Sequence, residues 1–271
     1  MRKAHDPNFL KNDQYKNAAN LNARIYLHAQ FSTNKYGWHQ FVFDFFAPLP
    51  PNARVLEVGC GPGTLWVQNA DRIPADWDIT LTDFSDGMLQ DAQENLKAIQ
   101  HPIKYQIANA MELPFEDATF DAVIANHMLY HVPDRPKALS EFRRILKPGG
   151  WLFAATNGDN HLSEIEQMVF KLDPDNPNNV SKMRQNAVDF GFETGQTQLD
   201  AFFSDVQLHR YEDALEVTQA APLINYLGSM TSKPLKSKQV RALTDQITQS
   251  LIRDGSIHIT KETGLFVARR A

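Results

Sequence analysis

Arg54-Val55-Leu56-Glu57-Val58-Gly59-Cys60-Gly61-Pro62-Gly63-Thr64 is the stretch on which the fold is decided. A short apolar run enters three glycines at alternate positions, and Thr64-Leu65-Trp66-Val67-Gln68 continues in a helix-compatible pattern. Glycine suits a backbone that turns tightly at positive φ and leaves no Cβ where a ligand lies against it. Strand, glycine turn and helix in that order point to a nucleotide-type cofactor loop. A ligand-free turn in an α/β sheet is the alternative.

Further strands follow at regular intervals. Ile79 to Asp83 forms a second apolar run ending in a carboxylate 20 residues beyond Gly63. An acid at that distance accepts from both hydroxyls of a ribose, and a turn or helix-capping role is its alternative. A helix from Ser85 to Ile99 and a third strand from Ile103 to Ala108 come next, then a fourth strand in Thr119 to Val132. Ala138, Leu139, Phe142, Ile145 and Leu146 share one helical face and lead to Lys147-Pro148-Gly149-Gly150, a basic, proline-stopped, glycine-capped ending. The fifth strand is Trp151 to Thr156. This alternation predicts an α/β fold with a doubly wound parallel sheet and helices on both faces.

The flanks are less regular. Residues 1–37 mix Tyr15, Tyr26, Phe31 and Tyr36 with Asn, Gln and Lys, a composition for a surface helix pair or a substrate lid. Trp38, Phe41, Val42, Phe45 and Phe46 mark a core-facing helical stripe stopped by Pro48, Pro50 and Pro51. After Thr156 two helices are expected, His161 to Leu172 and Ser181 to Phe190, split by a Pro- and Asn-rich stretch. They follow the carboxyl end of a strand, where a cover over the ligand crevice would lie. A strand at Val206 to Tyr211, helices at Ala214 to Leu227 and Lys236 to Asp254, and a strand at Gly264 to Ala268 close the chain. The expectation is one domain: an amino-terminal helical cover (1–52), a core (53–156), a helical insertion (157–205) and closing elements (206–271).

Glu57-x-Gly59-x-Gly61-x-Gly63 resembles motif I of the class I S-adenosylmethionine-dependent methyltransferases, of the UbiE-like small-molecule type. Asn109-Ala110-Met111-Glu112-Leu113-Pro114-Phe115 is similar to that family's Gly-Asp-Ala-x-x-Leu-Pro-Phe, with Asn109 in the place of the acid. Phe120-Asp121-Ala122-Val123 through Leu129 and His131 is similar to its next motif. The resemblance covers about residues 53–156. It implies a Rossmann-like seven-stranded sheet and S-adenosyl-L-methionine as cofactor, with S-adenosyl-L-homocysteine as product. It further implies the glycine loop and Glu57 against the methionine part, Asp83 and the adjoining Phe84 at the ribose, and Met88, Asn109, Ala110 and Met111 at the adenine. The backbone of Asn126 and His127 would face the sulfonium.

Charge complementarity suggests Arg24 for the cofactor carboxylate. His127, His131, Tyr130 and His161 are candidate bases should the acceptor lose a proton, His127 and His131 foremost, with structural roles as alternatives. The glycine spacing departs from the G-x-G-x-x-G of NAD-dependent oxidoreductases, which share the strand-glycine-acid logic. A non-catalytic protein that keeps the cofactor loop is the other alternative.

Composition narrows the partners. The 271 residues are 42% hydrophobic and 22% charged, with a net charge of −5. No dense Lys/Arg run offers a grip on nucleic acid or anionic lipid. The longest apolar runs fall short of the roughly 18 to 20 residues of a membrane span, and the first residues lack the apolar core of a signal peptide. The single cysteine, Cys60, allows no intrachain disulfide or Cys-based zinc site, and no metal is expected. The expectation is a cytoplasmic protein acting on a small organic methyl acceptor, without nucleic acid or membrane partners. Its oligomeric state is open.

Overall fold

The computed structural model describes residues 18–172, 188–231 and 234–271. The chain begins with helices α1 (Ala18–Phe31) and α2 (Trp38–Asp44), then strand β1 (Arg54–Val58) and the short helix α3 (Thr64–Val67). Strand β2 (Asp78–Asp83), helix α4 (Asp86–Leu96), strand β3 (Ile103–Ile107) and strand β4 (Phe120–Asn126) follow. Next come α5 (Arg135–Ile145), β5 (Leu146–Asn157), α6 (Ser163–Leu172) and α7 (Phe192–Asp200). Strand β6 (Ser204–Val217), helices α8 (Ala220–Met230) and α9 (Ser237–Asp254), and strand β7 (Ile257–Arg269) complete it.

The strands form one seven-stranded sheet in the order β3-β2-β1-β4-β5-β7-β6. β1 pairs in parallel with β2 and β4, as do β2 with β3 and β4 with β5. β7 runs the other way: Gly149 N donates to Arg270 O, and Arg270 N to Gly150 O. Strand order reverses between β1 and β4, so the crevice for a ligand opens at their carboxyl ends.

Among the described residues the chain groups into two compact units. The first holds residues 36–157, 189–211 and 264–271, and the second holds 18–35, 158–172, 188, 212–231 and 234–263.

In the first unit, alternation along buried strands builds a core on each sheet face. Val55, Ile79, Leu81, Ala122, Ile124 and Phe153 face Phe43, Phe46, Leu65, Trp66 and Leu89 of the helices on one side. Leu56, Val58, Val123, Ala125 and Leu152 face Leu139, Phe142, Phe190 and Leu199 on the other. α5 forms where Asp134 caps it by accepting from Lys137 N at 3.0 Å, Pro136 sits in its first turn, and Arg143 and Arg144 meet its carboxyl end.

In the second unit α1, α6, α8 and α9 bury Leu27, Ile165, Leu223, Leu227 and Leu243 with Leu215 and Ile259 of the strands. A polar knot sits at Asp213, whose side chain is sealed from solvent. It accepts from Lys261 Nζ and Ser32 Oγ, and from Asn34 N at 3.0 Å.

The structure extends or shortens several expected elements. Residues 214–217, expected to start a helix, are strand: Glu, Ala and Leu there favour helix intrinsically, but contacts with β7 hold them extended, as where His258 Nδ1 and Ser256 Oγ meet Glu216. β7 likewise begins at Ile257 rather than Gly264, and β5 begins at Leu146, which pairs with Phe120, and runs on through Gly149 and Gly150, which bond to Arg270. α3 ends at Val67 instead of Ala70 and resumes as a 3-10 turn, Ala70–Arg72. Most of the expected helix 181–190 lies outside the described residues. α7 was not anticipated, since Gly191 and Gly195 break the helical signal. Gly195 is there for contact: a Cβ would stand 2.9 Å from Phe266 Cε2. Residues 190–203, read as part of a cover, pack Phe190, Leu199 and Phe203 into the core of the sheet unit.

Candidate functional site

Gly59, Gly61 and Gly63 all take positive φ, at 71°, 53° and 74°. The loop is hung on β2, with Gly59 N and Cys60 N donating to Thr82 O at 2.8 and 2.9 Å. Two glycines are also demanded by packing: a Cβ on Gly59 would lie 2.9 Å from Met128 Cβ, and one on Gly63 2.8 Å from Leu96 Cδ1. Gly61 differs, because a Cβ there would meet nothing within 4 Å. Its open side is the cradle a ligand can fill.

Asp83, at the end of β2, braces this loop. Its Oδ2 accepts from Gly61 N at 3.0 Å and its Oδ1 from Ser85 N at 2.8 Å. Burial pushes its pKa up against the opposing hydrogen bonds from the Ser85, Gly61 and Phe84 backbone. Phe84 beside it is half exposed and Met88 half buried on the first turn of α4. Glu57 is 2% exposed and points inward, where its Oε2 accepts from Trp66 Nε1 at 2.6 Å. Burial pushes its pKa up to about 8, with the Asp83 charge adding to the shift, so the carboxyl is protonated at neutral pH. Burial also raises the Cys60 thiol, which removes it as a nucleophile.

Asn109 follows β3 and folds back on itself: its Oδ1 accepts from Met111 N at 3.0 Å, and its O from Glu112 N at 2.9 Å. Ala110 is buried and Met111 half buried. At the end of β4, Asn126 Oδ1 accepts from Trp38 Nε1 at 3.3 Å. His127 follows with φ 55°, a left-handed backbone rare outside glycine and of a kind that clusters at functional sites. Its ring centroid lies 5.2 Å from Trp38 and 6.4 Å from Tyr130, whose ring in turn meets His131 at 4.6 Å.

The glycine loop, Asp83, Phe84, Met88, Asn109–Met111 and Asn126–His127 thus all lie at the carboxyl ends of β1 to β4. His161 belongs to the other unit, where its Nδ1 accepts from Glu262 N at 3.2 Å. Arg24 lies in α1, and its side chain falls outside the described residues.

Sequence reading missed an aromatic face. Trp38, Phe41 and Phe45, read as core, do pack against it but are only half buried, and they also form a chain of rings with β6: Trp38 to Tyr211 at 5.5 Å, Phe41 to Tyr211 at 5.2 Å, Phe45 to His209 at 4.5 Å. Burial lowers the His209 pKa, which favours the neutral ring. The available signal was the i, i+3, i+7 spacing on α2 against alternate positions 209 and 211 on a strand. A groove of about 540 Å³ lined by Phe43, Asp44, Leu49, Arg72 and Trp77 lies where β1 and β2 begin, at the opposite ends of the strands from the glycine loop.

A sheet with this strand order and a glycine loop braced by the acid of the second strand has the class I methyltransferase fold. Residues 56–154 match the methyltransferase domain family. Demethylmenaquinone methyltransferase of Symbiobacterium thermophilum is 36% identical over 117 residues, 42% of this chain and 47% of that protein. The ubiquinone/menaquinone biosynthesis C-methyltransferase UbiE of Idiomarina loihiensis is 35% identical over 115 residues, 42% of this chain and 45% of its own. The chain spans about half the length of the curated relatives it matches. Phosphoethanolamine N-methyltransferase 2 of Haemonchus contortus, solved with S-adenosyl-L-methionine, shares the fold at TM-score 0.58 and 20% identity, over 97% of this chain and 59% of that one. Among the described residues no helix is long and apolar enough to cross a membrane.

Proposed function

We propose that this chain is an S-adenosylmethionine-dependent methyltransferase acting on a small organic acceptor. The observation that carries the reading is the open side of Gly61 inside a loop of three left-handed glycines, at the carboxyl end of β1 where the strand order reverses. When bound, S-adenosylmethionine supplies a methyl group already activated on a sulfonium, so the protein's work is to hold and align.

The Asp83 carboxylate, held by backbone N–H groups of Gly61 and its own turn, has lone-pair capacity left for the ribose hydroxyls. Asn109 Oδ1 keeps a lone pair in the same way for the adenine amino group, and Phe84 and Met88 offer apolar contact to the base. Glu57 serves from behind, holding the loop through Trp66. The N–H groups of Thr64 and Leu65, which open α3 beyond Gly63, are left for the cofactor carboxylate. His127 is the base for an acceptor that must lose a proton, and His131 lies one ring behind it across Tyr130. The aromatic face suits a flat acceptor, in keeping with relatives whose names specify demethylmenaquinone.

Calorimetric titration with S-adenosylhomocysteine, with NAD as control, tests the cofactor class. Micromolar binding of the first alone is the expected result, and NAD binding alone overturns the reading in favour of an oxidoreductase. Single-turnover methyl transfer across a panel of phenols, quinols and amines then separates an enzyme from a non-catalytic binder.

A further inference from the structure

We infer that Trp38 is a positioning residue: it fixes the Asn126 carboxamide so that its NH2 group is presented as a hydrogen-bond donor to an oxygen of the methyl acceptor. The inference rests on the methyltransferase reading above and deepens it.

An indole N–H can only donate. The Asn126 atom 3.3 Å from Trp38 Nε1 is therefore the carbonyl oxygen, which settles the amide orientation on chemical grounds. The planar carboxamide then turns Nδ2 away from the indole. That nitrogen bonds to none of the described residues and is not sealed from solvent. Two donor hydrogens are left at the carboxyl edge of β4, beside the strained His127.

Trp38 is itself firmly held. It is the first residue of α2, entered through Gly37 at φ 56°, where a Cβ would stand 2.2 Å from Gln40 Oε1. Its ring meets Phe41 at 5.6 Å, Tyr211 at 5.5 Å and His127 at 5.2 Å. Held on three sides, the indole keeps the amide from flipping. An amide NH2 has nothing to offer a sulfonium, and the cofactor's ribose and carboxylate have partners at Asp83 and the N–H groups that open α3. The remaining ligand is the acceptor, and the atom a donor recognises is an oxygen carrying lone pairs or developing charge.

Equilibrium dialysis of 1-naphthol and of naphthalene against protein saturated with S-adenosylhomocysteine tests this. Wild type is expected to hold the naphthol about tenfold more tightly than the hydrocarbon, the worth of one net hydrogen bond. Asn126→Leu, which keeps the size and loses the donor without offering an acceptor, and Trp38→Phe, which keeps a ring and frees the amide, should each bring that ratio to within about twofold. Because the ratio compares two probes within one variant, a merely structural loss leaves it unmoved. Equal affinities in wild type, no naphthol binding, a ratio that survives Asn126→Leu, or a loss appearing in S-adenosylhomocysteine affinity instead overturns the inference. Failure of wild type to bind S-adenosylhomocysteine is read separately and overturns the methyltransferase assignment.

Discussion

Asp83 Oδ2 accepts the backbone N–H of Gly61 at 3.0 Å, so the side chain that ends β2 shapes the loop that leaves β1. One carboxylate therefore serves twice, as a brace for the loop and as the proposed ribose ligand. Asp83→Ala should weaken S-adenosylhomocysteine binding by about 1 to 3 kcal/mol, the cost of leaving polar partners unpaired. Calorimetry reads this directly, and unchanged affinity removes Asp83 from the site.

The loop glycines should separate by role. Gly61→Ala places a side chain in open space at φ 53°, so its stability cost is confined to about 1 to 2 kcal/mol of left-handed strain, while cofactor affinity falls at least about tenfold. Gly63→Ala adds a collision with Leu96 and should cost about 2 to 4 kcal/mol of stability. Urea unfolding and calorimetry on both variants test the division, and equal stability losses would refute it.

Glu57 should make stability fall as pH rises. Its carboxyl titrates near 4.5 when unfolded and near 8 in the native protein, so between those values the native state holds a proton that the unfolded state has lost. Stability contributed by this group is complete below about pH 4.5 and declines up to about pH 8, by at most about 1.4 kcal/mol per pH unit. Glu57→Gln keeps an oxygen for Trp66 Nε1 and removes the proton. Its urea midpoint should therefore gain on wild type steadily from pH 5 to 8; parallel curves would show that Glu57 is ionised in the fold.

Lys261→Met strands Asp213, whose side chain is sealed from solvent while that of Lys261 is 11% exposed. Breaking one partner of a buried pair costs about 3 to 5 kcal/mol, and the lower end is expected because Ser32 and Asn34 still donate to Asp213. Burial pushes the Asp213 pKa up, but the hydrogen bonds from Asn34, Lys261 and Ser32 outweigh it and hold the carboxyl below its ordinary value. That stability is present above about pH 4 and lost as pH falls further, so the variant and wild type should converge in acid-unfolding curves.

The sequence by itself determined the sheet core and the place of the loop. Period-2 apolar strands and alternate glycines are local signals, and local chemistry demands them: φ near +60° is open to glycine and costly for other residues. The same holds for Asp83, whose distance from the loop is fixed by one strand-helix-strand passage.

Tertiary structure decided what depends on partners distant in the chain. Glu57 reads as a cofactor-facing acid until Trp66 is seen to turn it inward. Residues 214–217 read as helix until β7 pairs with them, and Gly195 reads as a helix breaker until Phe266 is found against it. The stripe beginning in α2 reads as one buried face, yet the fold grades it: Val42 and Phe46 are sealed in the core, while Trp38, Phe41 and Phe45 pack against it half buried and also meet Asn126, His127, His209 and Tyr211. Helical periodicity says which residues share a side of a helix. Which strand ends that side meets is set by the packing of elements more than 80 residues apart in the chain, as for Trp38 and Asn126, and no local pattern encodes it.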